Sequence, residues 1–388
     1  MRIDTLEVFR LCIPWKTLRR TGGSVGNEPD TVGLDTVLVR LESGGVSGWG
    51  EAAPGNSPVT TAEWSGGVFA CIAEQLGPML IGRTFNDGAA LAEAMAPVRG
   101  NAYARAAIDL AWWDCHARRK NVPLPTLLGT VRDTVRLGAV LDQVPDPDFQ
   151  RAVELHTQNL EAAVGAGYSR IGLKIRPGWD VQMLSFVRRE FGSLLLHADL
   201  EGALTLGYSQ ILYRFDDFFL RMLEQPLSPP DFVSSAMLQE NIRTKICLDE
   251  SIGSKEDAEM AIDLRAGRCF NLKPGRVGGM TTALDILAVA EPQGVDCWVG
   301  GLTQTAIGSR FGLALAAKTV WDYPTDDFNG ETLLETDIAP GIDRFRDETA
   351  TDAPLCAKLW TEPGIGIEPS LDIIRRYTTA HVAIGEKG

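Results

Sequence analysis

Five residues with chemistry in their side chains each close a short apolar run: Lys174 after R-I-G-L, Asp199 after L-L-L-H-A, Glu224 after F-L-R-M-L, Asp249 after I-C-L, and Lys273 after F-N-L. Three carboxylates brought to one place repel one another, so they demand a cation or raised pKa values. An all-oxygen donor set suits Mg2+, with Mn2+ as the substitute, better than zinc or copper. Lys174 precedes the three acids and Lys273 follows them, which puts one amine on each side of a ligand held by the metal. A lysine whose pKa approaches the working pH is a general base. The chemistry these types suit is removal of a proton alpha to a carboxylate, giving an enediolate. Such protons are very weakly acidic, so fixed positive charge must meet the negative charge that develops.

The elements that position these residues follow from their spacing. Neighbours in the series lie 25, 25, 25 and 24 residues apart, and D-C-W-V-G-G brings Trp298 a further 25 residues on. A strand, a turn, a helix and a second turn take about this length, since a (β/α)8 barrel uses roughly 250 residues for eight units. The carboxyl ends of barrel strands open on one rim, where residues distant in sequence converge. Acidic residues at strand ends also cap helices, and Asp249-Glu250-Ser251 could do so for a helix starting near Lys255.

Residues 1–130 read as a separate α+β unit. L-D-T-V-L-V-R-L-E-S and V-S-G-W-G-E-A flank Gly44-Gly45 as a hairpin, and helical spacing follows over Thr60–Leu80 and Asn101–Arg119. Arg19–Pro29 is an irregular Gly-, Ser-, Asn- and Pro-containing loop and a candidate lid. The barrel is expected over 131–325, with R-L-G-A-V-L as its first strand and a helix from Pro147 to Gly165. Residues 326–388 form a tail.

Composition narrows the function. A net charge of −14 argues against nucleic acid, whose phosphates need a basic surface. No apolar run is long enough to cross a bilayer, and the amino terminus lacks a secretory pattern. Seven cysteines without CxxC spacing are expected to be reduced thiols, in keeping with a cytoplasmic location. G-R-V-G-G-M after Lys273 is not a dinucleotide fingerprint, and no nucleophile elbow is present.

The runs K-I-R-P-G-W-D, E-Q-P-L, C-L-D-E-S and N-L-K-P-G-R-V-G-G, with W-G-E-A near Trp49 and P-G-I-G-I-E near Pro363, resemble the enolase superfamily. Within it they resemble the muconate-lactonising subgroup, close to o-succinylbenzoate synthases and N-acylamino acid racemases. The resemblance implies a (β/α)7β TIM-like barrel with an α+β cap formed by the N-terminal segment and the C-terminal tail. It implies Asp199, Glu224 and Asp249 as metal ligands, Lys174 and Lys273 as catalytic residues, and a small-molecule carboxylate as substrate for a homo-oligomeric protein. Glu250 is expected to partner one of the lysines, with Asn271 and Glu201 also supporting the site; Gly300, Gly301, Gln304 and Asn56 are expected to meet the substrate.

Several positions depart from the family pattern. Gly172 stands where the first lysine of Lys-x-Lys is usual, although a register with Lys174 and Arg176 as the pair remains open. Glu201 replaces an asparagine, and Gln304 replaces a glutamate. No histidine lies between Trp298 and Arg310, which disfavours the mandelate-racemase pattern, and His197 is expected to be a packed core histidine. Without a neighbouring ammonium, Lys174 needs desolvation or the metal to lower its pKa. Lysines on both faces imply racemisation or epimerisation, and one lysine returning its proton to a leaving hydroxyl implies syn dehydration; both stay open. The alternatives are a dipeptide epimerase, a cycloisomerase, a metal-binding homologue without turnover, and a metal-free Schiff-base aldolase.

Overall fold

The computed structural model describes residues 1–19, 31–59, 61–142, 144, 148–327, 330–346, 349 and 353–385. Beyond Arg19, the candidate lid falls outside these residues, as does Pro147.

The amino-terminal unit is a four-stranded antiparallel sheet with helices on one face. Its strands are β1 (Thr5–Arg19), β2 (Thr31–Ser43) and β3 (Val46–Ala52), joined at the outer edge by a strand from the carboxyl terminus, Thr378–Gly385. The Gly44-Gly45 turn has positive φ at both positions and closes the expected hairpin. Helix Ala102–Arg119 lies against β3, and Gly50 lets it: a Cβ there would sit 2.1 Å from the Ala107 carbonyl oxygen. The stretch from Ser65 to Leu80 is helical with one π turn at Ile72–Leu76.

Eight parallel strands follow. They are β4 (Thr134–Leu141), β5 (Ile171–Lys174), β6 (Leu196–Asp199), β7 (Leu223–Glu224), β8 (Ile246–Leu248), β9 (Cys269–Asn271), β10 (Asp296–Trp298) and β11 (Thr325–Asp326). Neighbours pair in sequence order from β4 to β10, and β11 pairs in parallel with β4. The expected domain limit at residue 325 therefore lies inside the short eighth strand. Side chains continue the joint where β10 and β11 meet: Thr325 Oγ1 donates to the Val299 carbonyl at 2.5 Å.

The tail contacts both units. Cys356–Lys358 pairs antiparallel with β4, while Thr378–Gly385 pairs with β1. Three buried acids of the cap bind backbone donors beyond it. Glu51 accepts from Thr305 N (3.0 Å) and Gly308 N (2.9 Å), at the start of barrel helix Ala306–Lys318. Asp109 does the same for Thr281 N (3.1 Å) at helix Met280–Ala290, and Asp114 accepts from Ile365 N (2.8 Å) in the tail. Carboxylates at helix N-termini meet unpaired N–H groups and the positive end of the helix dipole.

The helix that follows β8 is capped locally. Ser254, with its hydroxyl accepting from Asp257 N at 3.1 Å, starts the helix Lys255–Leu264. Asp249, Glu250 and Ser251 are thus not its caps, which leaves those acids for the rim.

Candidate active site

The strand ends open into a cavity of about 600 Å3, a size usual for small-ligand sites. Lys174, Asp199, Glu201, Glu224, Asp249, Glu250, Asn271 and Lys273 all line it, as do Asn56, Gly301 and Gln304. The pairing register sets three of them side by side: Lys174 is opposite Asp199, and Asp199 opposite Glu224.

The acids differ in their partners. Burial, then the nearby Glu224, pushes the Asp199 carboxyl well up, and its Oδ1 accepts from Glu201 N at 3.0 Å. Glu224 is fully engaged. Its Oε1 accepts from Asn271 Nδ2 at 2.6 Å, its Oε2 lies 3.2 Å from His197 Nε2, and burial together with Asp249 pushes its pKa up to about 7. Asp249 is buried too, yet Arg276 and Lys273 more than offset that and hold its pKa below the usual value. Its Oδ2 meets Lys273 Nζ at 2.7 Å and its Oδ1 is ion-paired with Arg276. Consequently, no three His, Cys, Asp or Glu side chains among the described residues stand together as a ready metal-binding group.

The lysines are tethered. Lys174 is ion-paired with Glu201, so Glu201 partners the amine. Burial favours a neutral Lys174, but Glu201, Asp199 and Asp142 outweigh it and raise the pKa. Lys273 behaves alike, with burial overcome by Asp249. Without a metal, the lowered lysine pKa anticipated from desolvation is absent.

Glu250 makes no ion pair with either lysine among the described residues. Its Oε2 is buried without a partner, because Asp249 already holds Lys273, and burial pushes its pKa up to about 7. Gly300 also differs from expectation. Its N–H donates to Asn271 Oδ1 at 2.7 Å and a Cβ would lie 2.3 Å from Asn271 Nδ2, so its bareness accommodates Asn271 rather than a ligand.

Two participants escaped the sequence reading. Arg276 sits one turn beyond Lys273 in N-L-K-P-G-R, a position from which its reach to Asp249 could have been inferred. His197 is buried and hydrogen-bonded, as expected of a core histidine, but one of its contacts is Glu224. Burial keeps the imidazole neutral, and its Nδ1 lies at hydrogen-bond distance, 2.9 Å, from the Tyr323 hydroxyl.

Comparison with known proteins decides the family. Residues 30–129 match the mandelate racemase / muconate lactonizing enzyme N-terminal domain, and residues 155–373 match the family described as enolase C-terminal domain-like. The chain belongs to the enolase superfamily. It is 33% identical to the o-succinylbenzoate synthase of Bacillus subtilis, over 88% of this chain and 89% of that one. It is 34% identical to the N-succinylamino acid racemase of Thermus thermophilus, over 97% and 98%. A solved structure of an enolase superfamily member from Listeria innocua superposes with a TM-score of 0.89 at 29% identity, covering 99% of both chains. This superfamily member is an enzyme of proton abstraction alpha to a carboxylate, and the superfamily uses a divalent metal. The residues present fit such an ion: buried oxygen donors whose pKa values rise for want of a counter-charge, one of them with an unpartnered oxygen. No helix among the described residues is long and apolar enough to cross a membrane.

Proposed function

We propose that this enzyme racemises or epimerises an N-acylated α-amino acid, with Asp199, Glu224 and Asp249 holding Mg2+, or Mn2+ in its place. The observation that carries the reading is the placement of Lys174 and Lys273 on strands that flank the acids, β5 on one side and just past β9 on the other, both lining one cavity. When bound, the metal supplies fixed positive charge for the substrate carboxylate and lowers the pKa of the nearby amines.

One lysine removes the α-proton from its face of the substrate, and the other delivers a proton to the opposite face. Each is kept in place by a carboxylate, Glu201 for Lys174 and Asp249 for Lys273. Lys273 must leave Asp249 to reach a substrate proton, and Arg276 remains to hold the Asp249 oxygen it already binds. Asn271 keeps Glu224 facing the mouth. Gly301, Gln304 and Asn56 lie where the acyl group and side chain would pack. Seven free cysteines are in keeping with a cytoplasmic enzyme.

The test uses N-acylamino acids of both hands in D2O with Mg2+, followed by polarimetry and proton NMR. Lys174→Ala and Lys273→Ala should each abolish racemisation, while each retains α-proton exchange of one enantiomer, opposite for the two variants. Racemisation surviving in either variant would contradict the two-base arrangement. Loss of water from a β-hydroxy acid substrate, without exchange of any N-acylamino acid, would favour dehydration instead.

A further inference from the structure

Gly172 leaves bare a position two residues before Lys174, and the structure fills the space from next door. His197 is its register partner on β6. A Cβ on Gly172 would lie 2.6 Å from His197 Nε2 and 2.9 Å from its Cε1, closer than such contacts ever come. The imidazole therefore stands where a residue-172 side chain would start. It is also wedged from below: Tyr323 O–H reaches Nδ1 at 2.9 Å, and the Trp298 ring lies 5.4 Å from the imidazole, centroid to centroid. Arg170 closes the far side, its guanidinium 3.1 Å from the same absent Cβ and paired with Asp326 at 2.5 Å.

We infer that His197 is a positioning residue for Glu224, occupying the room left at Gly172 and aiming the Glu224 carboxylate at the metal. This rests on the proposed role of Glu224 as a metal ligand. Glu224 has one hydrogen-bond donor at Oε1, Asn271 Nδ2 at 2.6 Å, and at Oε2 it meets the imidazole, with His197 Nε2 3.2 Å away. A carboxylate bonded at one oxygen and packed against a fixed imidazole at the other keeps one orientation, so its remaining lone pairs point to a single place. Hydrogen-bond partners of this kind orient metal ligands, and losing one typically weakens metal binding about 10- to 100-fold. Gly172 and His197 act as a pair: any side chain on residue 172 would displace the imidazole.

Mn2+ binding to the metal-free full chain, followed by electron paramagnetic resonance of free Mn2+, tests this without reference to turnover. His197→Ala should weaken Mn2+ binding about 10- to 100-fold, and His197→Gln, whose amide N–H can still reach Glu224, should recover most of the loss. Gly172→Ala should weaken binding in the parent protein yet add nothing in the His197→Ala background. Tyr323→Phe removes only a hydroxyl and should shift the affinity in the same direction while leaving the circular dichroism unchanged. Parent-like affinity in both His197→Ala and Tyr323→Phe, or an equal cost of Gly172→Ala in both backgrounds, would overturn the role of His197. A parent protein that bound no Mn2+ would overturn the metal reading beneath it.

Discussion

Two groups of buried carboxylates in this molecule have opposite surroundings. In the cap, Glu51, Asp109 and Asp114 each stand apart from other acids' hydrogen bonds and are surrounded by donors: Glu51 alone receives Thr305 N, Thr305 Oγ1, Gly308 N and Thr36 Oγ1. In the mouth, neighbouring acids raise the pKa values of Asp199, Glu224 and Glu250, and Glu250 keeps an oxygen without a partner. Burial raises acids in both places; like charge adds to it at Asp199, Glu224 and Glu250 in the mouth, and in the cap at Asp109 alone, through Asp285. The cap acids are complete as they stand and join two units. Those of the mouth are complete only with added positive charge, which is how a stable fold keeps a site for a cation.

The comparison breaks first if the mouth acids turn out to be structural. Asp199→Asn or Glu224→Gln should lower turnover about 10^3-fold, measured as α-proton exchange. The thermal midpoint of the same metal-free variants should stay level or rise, because a buried like charge is gone. Glu51→Ala should do the reverse. Orphaning Thr305 N and Gly308 N should cost about 3 kcal/mol in denaturant unfolding, with turnover per folded molecule nearly unchanged.

Metal linkage sharpens the contrast. Mg2+ at 100 times its dissociation constant should stabilise the parent protein by about 2.7 kcal/mol and Glu51→Gln by the same increment. It should stabilise Glu224→Gln far less. The effect smallest per unit of the variable changed is in pH. Burial pushes Asp109 from its ordinary 3.8 up to about 7, so the folded chain binds more protons than the unfolded chain between those values. Stability therefore falls as pH rises through that window, by no more than about 1.4 kcal/mol per pH unit for one group. Asp109→Asn should remove this part of the slope in denaturant unfolding measured at successive pH values.

Much of the architecture was legible because a βα unit has a nearly fixed length. Lys174, Asp199, Glu224, Asp249 and Lys273 recur at that length, and the structure puts all of them around one cavity. What spacing cannot express is the space between strands. That His197 would lean into the room beside Gly172, and so touch Glu224, depends on side chains of adjacent strands rather than on either strand's own pattern. Glu201 is similar: its sequence position set it beside the site without naming a partner, and an amine from the preceding strand reaches it. The eighth strand, Thr325–Asp326, is two residues long and too short to show alternation in the sequence. Gly300 was read for what it lacks, while Asn271 was already using that lack.

Calorimetric titration of Mg2+ into metal-free protein tests the central claim most directly. The account predicts one site per chain in the parent and in Glu51→Gln, with binding weakened by orders of magnitude in Asp199→Asn and Glu224→Gln. Parent-like Mg2+ affinity in the two mouth variants, or its loss in Glu51→Gln, would contradict it.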